Sequence, residues 1–236
     1  MDRESNVYTI GYAVIMTVIV AAGLSTLVTS LREKQANNEK LAAKIDILKA
    51  VGLDYKKDKI TGDSIFNQRV ESLLLDVNMN ELDTDVEAVA IDIHKENKKS
   101  AEEKRYPLYV YRHEGQTNYI VPLYGNGLWD KIWGYLALEE DMSTVAGISM
   151  DHKAETPGLG AEIKDSPDLY NEPFVGMSIY DENGEYVSVA MKKGTKDMPG
   201  HQIDAITGAT ITSNGVNVML YEDVKSYLAY FEKSSN

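Results

Sequence analysis

Residues 204–213 read Asp204-Ala-Ile-Thr-Gly-Ala-Thr-Ile-Thr-Ser213 and gather hydroxyls, one carboxylate and two very small residues in one short stretch. Gly208 and Ala209 leave little side chain between the backbone and a ligand. Thr210, Thr212 and Ser213 offer hydroxyls, and Ser213 or Asn214 can cap a helix that starts just after them. A helix N-terminus carries unpaired N–H groups and a partial positive charge, so this stretch suits a phosphate. Plain helix capping accounts for the same residues. Two earlier segments are also rich in glycine: Leu123-Tyr-Gly-Asn-Gly-Leu-Trp129 and Glu155-Thr-Pro-Gly-Leu-Gly160. The second has no third glycine at dinucleotide-fold spacing, and the chain holds neither a P-loop nor a Gly-x-Ser-x-Gly elbow. Such a segment can bring backbone N–H groups close to a flat ligand, with Leu159 against its face. Each segment alone is equally an ordinary turn, and Trp133 reads as a core or interface residue.

The totals narrow the chemistry. The chain has 236 residues, enough for one substantial domain and an appendage. With 24 basic and 37 acidic residues it carries a formal charge of −13, which argues against nucleic-acid binding. It has no cysteine, which excludes disulfides, thiolate metal sites and cysteine-ligated iron–sulfur clusters. His94, His113, His152 and His201 are scattered with no zinc spacing, so no metal site is expected. An electron carrier in this chain would be organic.

These residues need an element to hold them. No charged residue occurs between positions 5 and 31, and residues 10–27 are almost wholly apolar, long enough for a transmembrane helix. The leader Met-Asp-Arg-Glu-Ser is not positively charged and the apolar stretch exceeds a signal core, so a retained single-pass anchor is expected rather than a cleaved signal. Arg32, Lys34, Lys40 and Lys44 follow it while only Arg3 precedes it, which by charge count puts the C-terminal side in the cytoplasm. Long domains, however, cross largely regardless of charge. With no ionisable side chain, the span cannot conduct ions alone.

Beyond the anchor, Leu41, Ile45 and Leu48 predict an amphipathic helix over 32–51 that Gly52 stops. A second helix is expected over 64–75, and solvated surface over 84–99 and 96–105. From Pro107 the pattern changes to strands: 108–112 and 118–123 around the turn at 113–116, then 132–138 and 144–150. Residues 174–180 and 186–191 flank Asp181-Glu-Asn-Gly and read as a second hairpin. A helix over 214–231 closes the chain, with an apolar stripe at Val216, Leu220, Val224, Leu228 and Phe231. The class is α+β. Its parts are a tail (1–6), a transmembrane helix (7–31), a helical stalk and connecting region (32–105), and a ligand-binding domain with antiparallel sheet and C-terminal helix (106–236).

Taken together, the chemical residues resemble the FMN-binding domain family. Thr207-Gly-Ala-Thr210 after Asp204 is similar to its flavinylation motif, Asp-x-x-(Ser/Thr)-Gly-Ala-Thr, with Thr207 where serine is commoner. The resemblance implies FMN joined by a phosphodiester to the hydroxyl of Thr210, with segment 155–160 lining the flavin site. Within that family the chain is similar to the NqrC branch, the C subunits of Na+-translocating NADH:quinone reductases. The likeness is most distinctive at Tyr124-Gly-Asn-Gly-Leu-Trp129 followed by Trp133-Gly-Tyr. The G subunit of Rnf-type ferredoxin:NAD oxidoreductases, which lacks the Gly-x-Gly-Leu-Trp stretch, is the alternative. A membrane-anchored binding module without redox chemistry is an alternative of another class.

The resemblance further implies an inner-membrane protein whose flavin domain is periplasmic, overriding the charge count. It implies loading by a Mg2+-dependent flavin transferase with FAD as donor. It also implies electron relay from a membrane iron centre to the flavins of the B subunit and on to quinone, with the B, D, E and F subunits as the most relevant partners. NADH, quinone and sodium are expected on those other subunits. Expected FMN contacts are Trp129, Glu155, Thr156, Gly158, Leu159, Gly160, Lys193 beside Gly194, Thr207, Gly208, Ala209 and Thr212. Asp204 is expected to position or activate the Thr210 hydroxyl.

Overall fold

The structure, a computed structural model, describes residues 6–194 and 196–234. The expected tail lies outside the described residues apart from Asn6. The chain divides into two compact units, 1–42 and 43–236.

Helix α1 (Asn6–Ala50) is continuous, and among the described residues it is the one helix long and apolar enough to cross a membrane. The hydroxyls of Thr17, Thr26 and Thr29 each donate to the carbonyl four residues back, and Ser30 donates to Leu27 O. Each of these hydroxyls is thereby satisfied inside the helix, as an apolar surrounding requires.

The second unit takes in the last turns of α1, where Ile45, Ile47, Leu48 and Ala50 are buried. Gly52, at φ +81°, ends the helix: its N–H donates to Lys49 O and the Leu53 N–H reaches back to Leu48 O, both at 3.0 Å. Helix α2 (Lys59–Arg69) is capped by Asp58, which accepts from the Thr61 N–H at 3.2 Å. It stops where the expected helix was to continue, because Val70–Leu75 forms strand β1. Its Leu73-Leu-Leu75 run is too short for periodicity to tell helix from strand, and pairing along strand β2 decides.

Strands β1, β2 (Tyr106–His113), β3 (Gln116–Asn126), β4 (Lys131–Leu138) and β5 (Val145–His152) form one antiparallel sheet in chain order. The β2–β3 turn uses positive φ at Glu114 and Gly115, the twist a tight hairpin favours. Residues 43–105 thus do more than connect, since they supply an edge strand. Between β1 and β2 lies the short α3 (Ile93–Glu96). Glu96, expected on a solvated surface, is 3% exposed. Its carboxylate is held by Lys99 Nζ at 2.8 Å and Arg105 Nη2 at 2.9 Å, the partners a buried charge requires.

After β5 come two short turns of helix, α4 (Glu162–Asp165) and α5 (Pro167–Tyr170), then the stretch expected as a second hairpin. Its turn is present: Asp181 Oδ1 accepts from the N–H groups of Asn183 and Glu185, and Tyr180 bridges Tyr186. The ladder is not. Ile179 O receives both the Val187 and Ser188 N–H groups, and Ser188 sits at φ +62°, a bulge that turns the chain away. Strand β6 (Ala190–Lys192) then pairs in parallel with β7 (Gln202–Asp204).

The closing helix is two elements, α6 (Thr210–Lys225) and α7 (Leu228–Ser234), and begins four residues before the expected start. Its stripe is as expected: Val216, Leu220, Val224 and Phe231 are buried with Leu123, Ile132 and Leu136 on one face of the sheet. The other face packs Tyr109, Tyr111, Ile120 and Ala137 against Ile47 and Leu48 of α1 and Phe66 of α2.

Candidate functional site

Thr210 is the first residue of α6. The cap position falls to Ala209, at φ −121° and ψ 48°, which has no side chain to offer the helix. Among the described residues, the N–H groups of Thr210, Ile211 and Thr212 meet no protein acceptor. They leave the positive end of the α6 dipole open. Neither Ser213 nor Asn214 is the cap, which corrects the sequence expectation. Ser213 is buried inside the first turn, where its hydroxyl donates to Ala209 O at 3.1 Å and accepts from the Ile206 N–H at 3.2 Å. That bond folds the 206–209 turn onto the helix. The Thr210 side chain is exposed, whereas Thr212 is 1% exposed.

Glu155 brings the three glycine-containing segments together. It is 5% exposed, yet both carboxylate oxygens are used. Oε1 accepts the Trp129 backbone N–H at 2.9 Å, and Oε2 accepts the Thr212 hydroxyl at 2.6 Å. Gly127 and Gly160 make room for it. A Cβ on Gly160 would lie 2.6 Å from Thr212 Oγ1 and overlap Glu155 Oε2, and one on Gly127 would lie 2.8 Å from Glu155 Cδ. The backbone of Glu155 is pinned in turn, its N–H donating to His152 Nδ1 at 3.1 Å. Gly127 and His152 were absent from the residues expected at the site. His152 lies only three residues before Glu155 and Gly127 falls within the first glycine segment, but which side chain each serves is set by the fold.

Around this hub the remaining residues form an open rim. Trp129 is 67% exposed, and its indole N–H donates to Thr156 Oγ1 at 3.1 Å. Leu159, partly exposed, packs over Gly208, where a Cβ would lie 2.9 Å from Leu159 Cδ2. Gly158 and Thr207 are exposed beside them. Asp204 ends β7, and its carboxylate pairs with Lys196 Nζ at 3.4 Å. Among the described residues no hydrogen bond joins it to Thr210. Lys193 and Gly194 directly follow β6, whose Lys192 is in register with Asp204. They adjoin the β7 end of the motif rather than the Glu155 hub. Among the described residues, no group of three or more His, Asp or Glu side chains is arranged to hold a metal ion.

Helix α6 is held closely against the sheet, which fixes its exposed N-terminus. Gly215 lies on the backbone of Asn126, where a Cβ would overlap the carbonyl oxygen, and Gly125 faces Met219 and Gly215 in return. Asn217 makes both amide bonds to the backbone of Met191 in β6, at 2.6 and 2.8 Å. Near the far end, Asp223 Oδ2 accepts the Tyr124 N–H at 2.7 Å. Burial pushes the Asp223 carboxyl up to about 7, with the Tyr124 bond and Lys104 pulling the other way.

This arrangement can present one hydroxyl beside unpaired N–H groups and an exposed aromatic, with no nucleophile–base pair of its own. Residues 127–224, which contain all of it, match the FMN-binding domain family. Over the whole chain, the C subunit of the Na(+)-translocating NADH-quinone reductase of Vibrio vulnificus is 30% identical over 231 residues, covering 91% of this chain and 89% of its own. The corresponding Pseudomonas aeruginosa protein is 28% identical over 93% of this chain and 92% of its own. Among solved structures, the C subunit from Parabacteroides distasonis superposes with a TM-score of 0.75 at 34% identity, covering 85% of this chain and 96% of that one. The fold is shared also with Shewanella oneidensis NqrC, at a TM-score of 0.70 and 24% identity. With 91% of its length matched at 30% identity and the glycine-lined site inside residues 127–224, the chain belongs to the family of Na(+)-translocating NADH-quinone reductase C subunits.

Proposed function

We propose that this chain is an electron-relay subunit that carries FMN covalently on Thr210. The observation that carries the reading is the contrast between two hydroxyls in one helical turn. Thr210 is exposed at the open N-terminus of α6, while Thr212 is buried and donates to Glu155. The residues fit the group. The N–H groups of Thr210, Ile211 and Thr212 suit phosphate oxygens, and the exposed faces of Trp129 and Leu159 suit a flat apolar ring. Glu155 is already spent on protein partners and serves the site from beneath. Thr156 orients the Trp129 indole, and Gly158, Gly208 and Ala209 keep the approach clear. Lys193 and Thr207 supply a charge and a hydroxyl at the edge. Asp204 acts on the motif through its pairing with Lys196.

Attachment is a group transfer. The Thr210 oxygen attacks the FMN-side phosphorus of FAD, the pyrophosphate P–O bond breaks, and AMP departs. The hydroxyl proton passes to a base on the Mg2+-dependent flavin transferase. FMN, when bound, supplies reversible electron transfer. The protein contributes position, since a covalent tether keeps the carrier beside its partners. Those partners are the B, D, E and F subunits of the reductase, with electrons arriving from a membrane iron centre and leaving to the flavin of the B subunit. The domain lies on the periplasmic side of the inner membrane, held by α1. Family membership and the apolar length of α1 support this assembly.

The test is denaturing electrophoresis under ultraviolet light after co-expression with the flavin transferase. The wild-type band fluoresces, Thr210→Ala is dark, and Thr212→Ala and Thr207→Ala keep their fluorescence. A dark wild-type band would sink the covalent reading, and a bright Thr210→Ala band would move the attachment elsewhere.

A further inference from the structure

Building on the reading of Thr210 as the attachment residue, we infer that Glu155 is the positioning residue that assembles the site. It ties the Trp129 loop and the first turn of α6 together by hydrogen bonds and makes none to Thr210. Its partners lie 26 and 57 positions away in the chain, so the bonds join segments that nothing local holds together. Ala209 gives α6 no side-chain cap, and Glu155 holds the first turn through the Thr212 hydroxyl while the backbone N–H groups stay open. The loop on the other side closes on itself by the Gly127 N–H to Asp130 O at 2.8 Å, and meets the Glu155 segment at its rim through the Trp129 indole on Thr156 Oγ1 at 3.1 Å and Lys153 Nζ on Asp130 at 3.2 Å; Glu155 supplies the buried link that also reaches α6. Gly127 and Gly160 admit the carboxylate, and His152 pins its backbone. The 2.6 Å hydroxyl bond to Oε2 is in the range of charge-assisted bonds. The same bond commits the Thr212 hydroxyl and leaves Thr210 as the outward-facing hydroxyl of the first α6 turn.

The donor and acceptor inventory makes the role testable. Glutamine can keep both links: its carbonyl accepts the Trp129 N–H, and its amide donates to Thr212 Oγ1, whose hydroxyl can turn. Methionine fills the same volume and keeps neither. The experiment uses the full chain with Trp133→Phe, which leaves Trp129 as the only tryptophan. The flavin-free chain is incubated with flavin transferase and FAD, and FMN uptake is timed by intact mass. Iodide quenching of Trp129 is measured before any flavin is added.

E155M is expected to slow uptake by about tenfold or more and to raise quenching, while E155Q stays within about threefold of wild type with quenching unchanged. T212V, which keeps shape and loses the hydroxyl, is expected to slow uptake by about threefold or more, and it stands in if E155M fails to fold. Wild-type uptake in E155M or T212V overturns the inference. So does an E155Q as slow as E155M, because charge rather than positioning would then be at work. If no variant, wild type included, takes up FMN at Thr210, the attachment reading falls by itself. The quenching contrast between E155M and E155Q still decides what Glu155 holds.

Discussion

Replacing Asp223 with asparagine is expected to stabilise the folded unit at pH 8 and to lose that advantage as the pH falls to 4. Asp223 sits in a crevice between α6, β3 and the residues before β2, with Lys104, Arg105 and Glu96 also lining it. One oxygen holds the Tyr124 N–H, and burial raises the carboxyl from 3.8 to about 7. A group whose folded pKa is raised binds its proton more tightly in the folded state. Its contribution to stability is therefore highest below about pH 4, declines as the pH rises toward 7, and is flat above. The shift from 3.8 to about 7 corresponds to about 4 kcal/mol across that window. Asparagine keeps an acceptor for Tyr124 and removes the desolvated charge, but its amide needs a partner in the crevice, so a net gain of about 2 kcal/mol at pH 8 is expected. Guanidinium unfolding of the detergent-solubilised chain, followed by tryptophan fluorescence, reads this unit alone, since Trp129 and Trp133 both lie within 43–236. A difference between D223N and wild type that stays constant from pH 4 to 8, or a loss at pH 8, would refute the reasoning.

Three glycine substitutions separate close approach from backbone strain. Gly160→Ala drives a methyl into Glu155 and to 2.6 Å from Thr212 Oγ1, so it should cost about 2–3 kcal/mol by chemical denaturation and slow FMN attachment. Gly215→Ala should cost about 2 kcal/mol, because its methyl overlaps the Asn126 carbonyl. On a free helix face the same change would instead stabilise by about 1 kcal/mol, so the sign of the measured change is the test. Gly52→Ala meets no atom within 4 Å but must hold φ +81°, so a loss of about 1 kcal/mol with unchanged flavin attachment is expected.

The long apolar helix, the first hairpin and strands β4 and β5 were legible because their signals are local. An uncharged apolar stretch needs only its own composition, and a Glu-Gly turn between two apolar runs needs only its own backbone. Strand β1 was not, since Leu73-Leu-Leu75 satisfies a helix or a strand until Leu108 and Pro107 lie beside it. The ladder of the second hairpin also failed locally, because the bulge at Ser188 answers to the Leu220 carbonyl of α6, which its hydroxyl reaches at 3.1 Å. Glu96 looked solvated for a similar reason: part of its partner set, Arg105, lies nine residues away.

At the site, the sequence alone determined the inventory of hydroxyls, the small residues among them and the two glycine segments. Residue type is enough to say that a phosphate would suit such a place. Which hydroxyl is free was decided by the tertiary structure. The start of α6 at Thr210 puts Thr210 and Thr212 about 200° apart around the helix axis, so they cannot share a face. The sheet beneath α6, with Gly215 on Asn126, sets which of those faces is inward. Glu155 then occupies the inner hydroxyl from a segment 57 residues away, a relation that no spacing along the chain encodes.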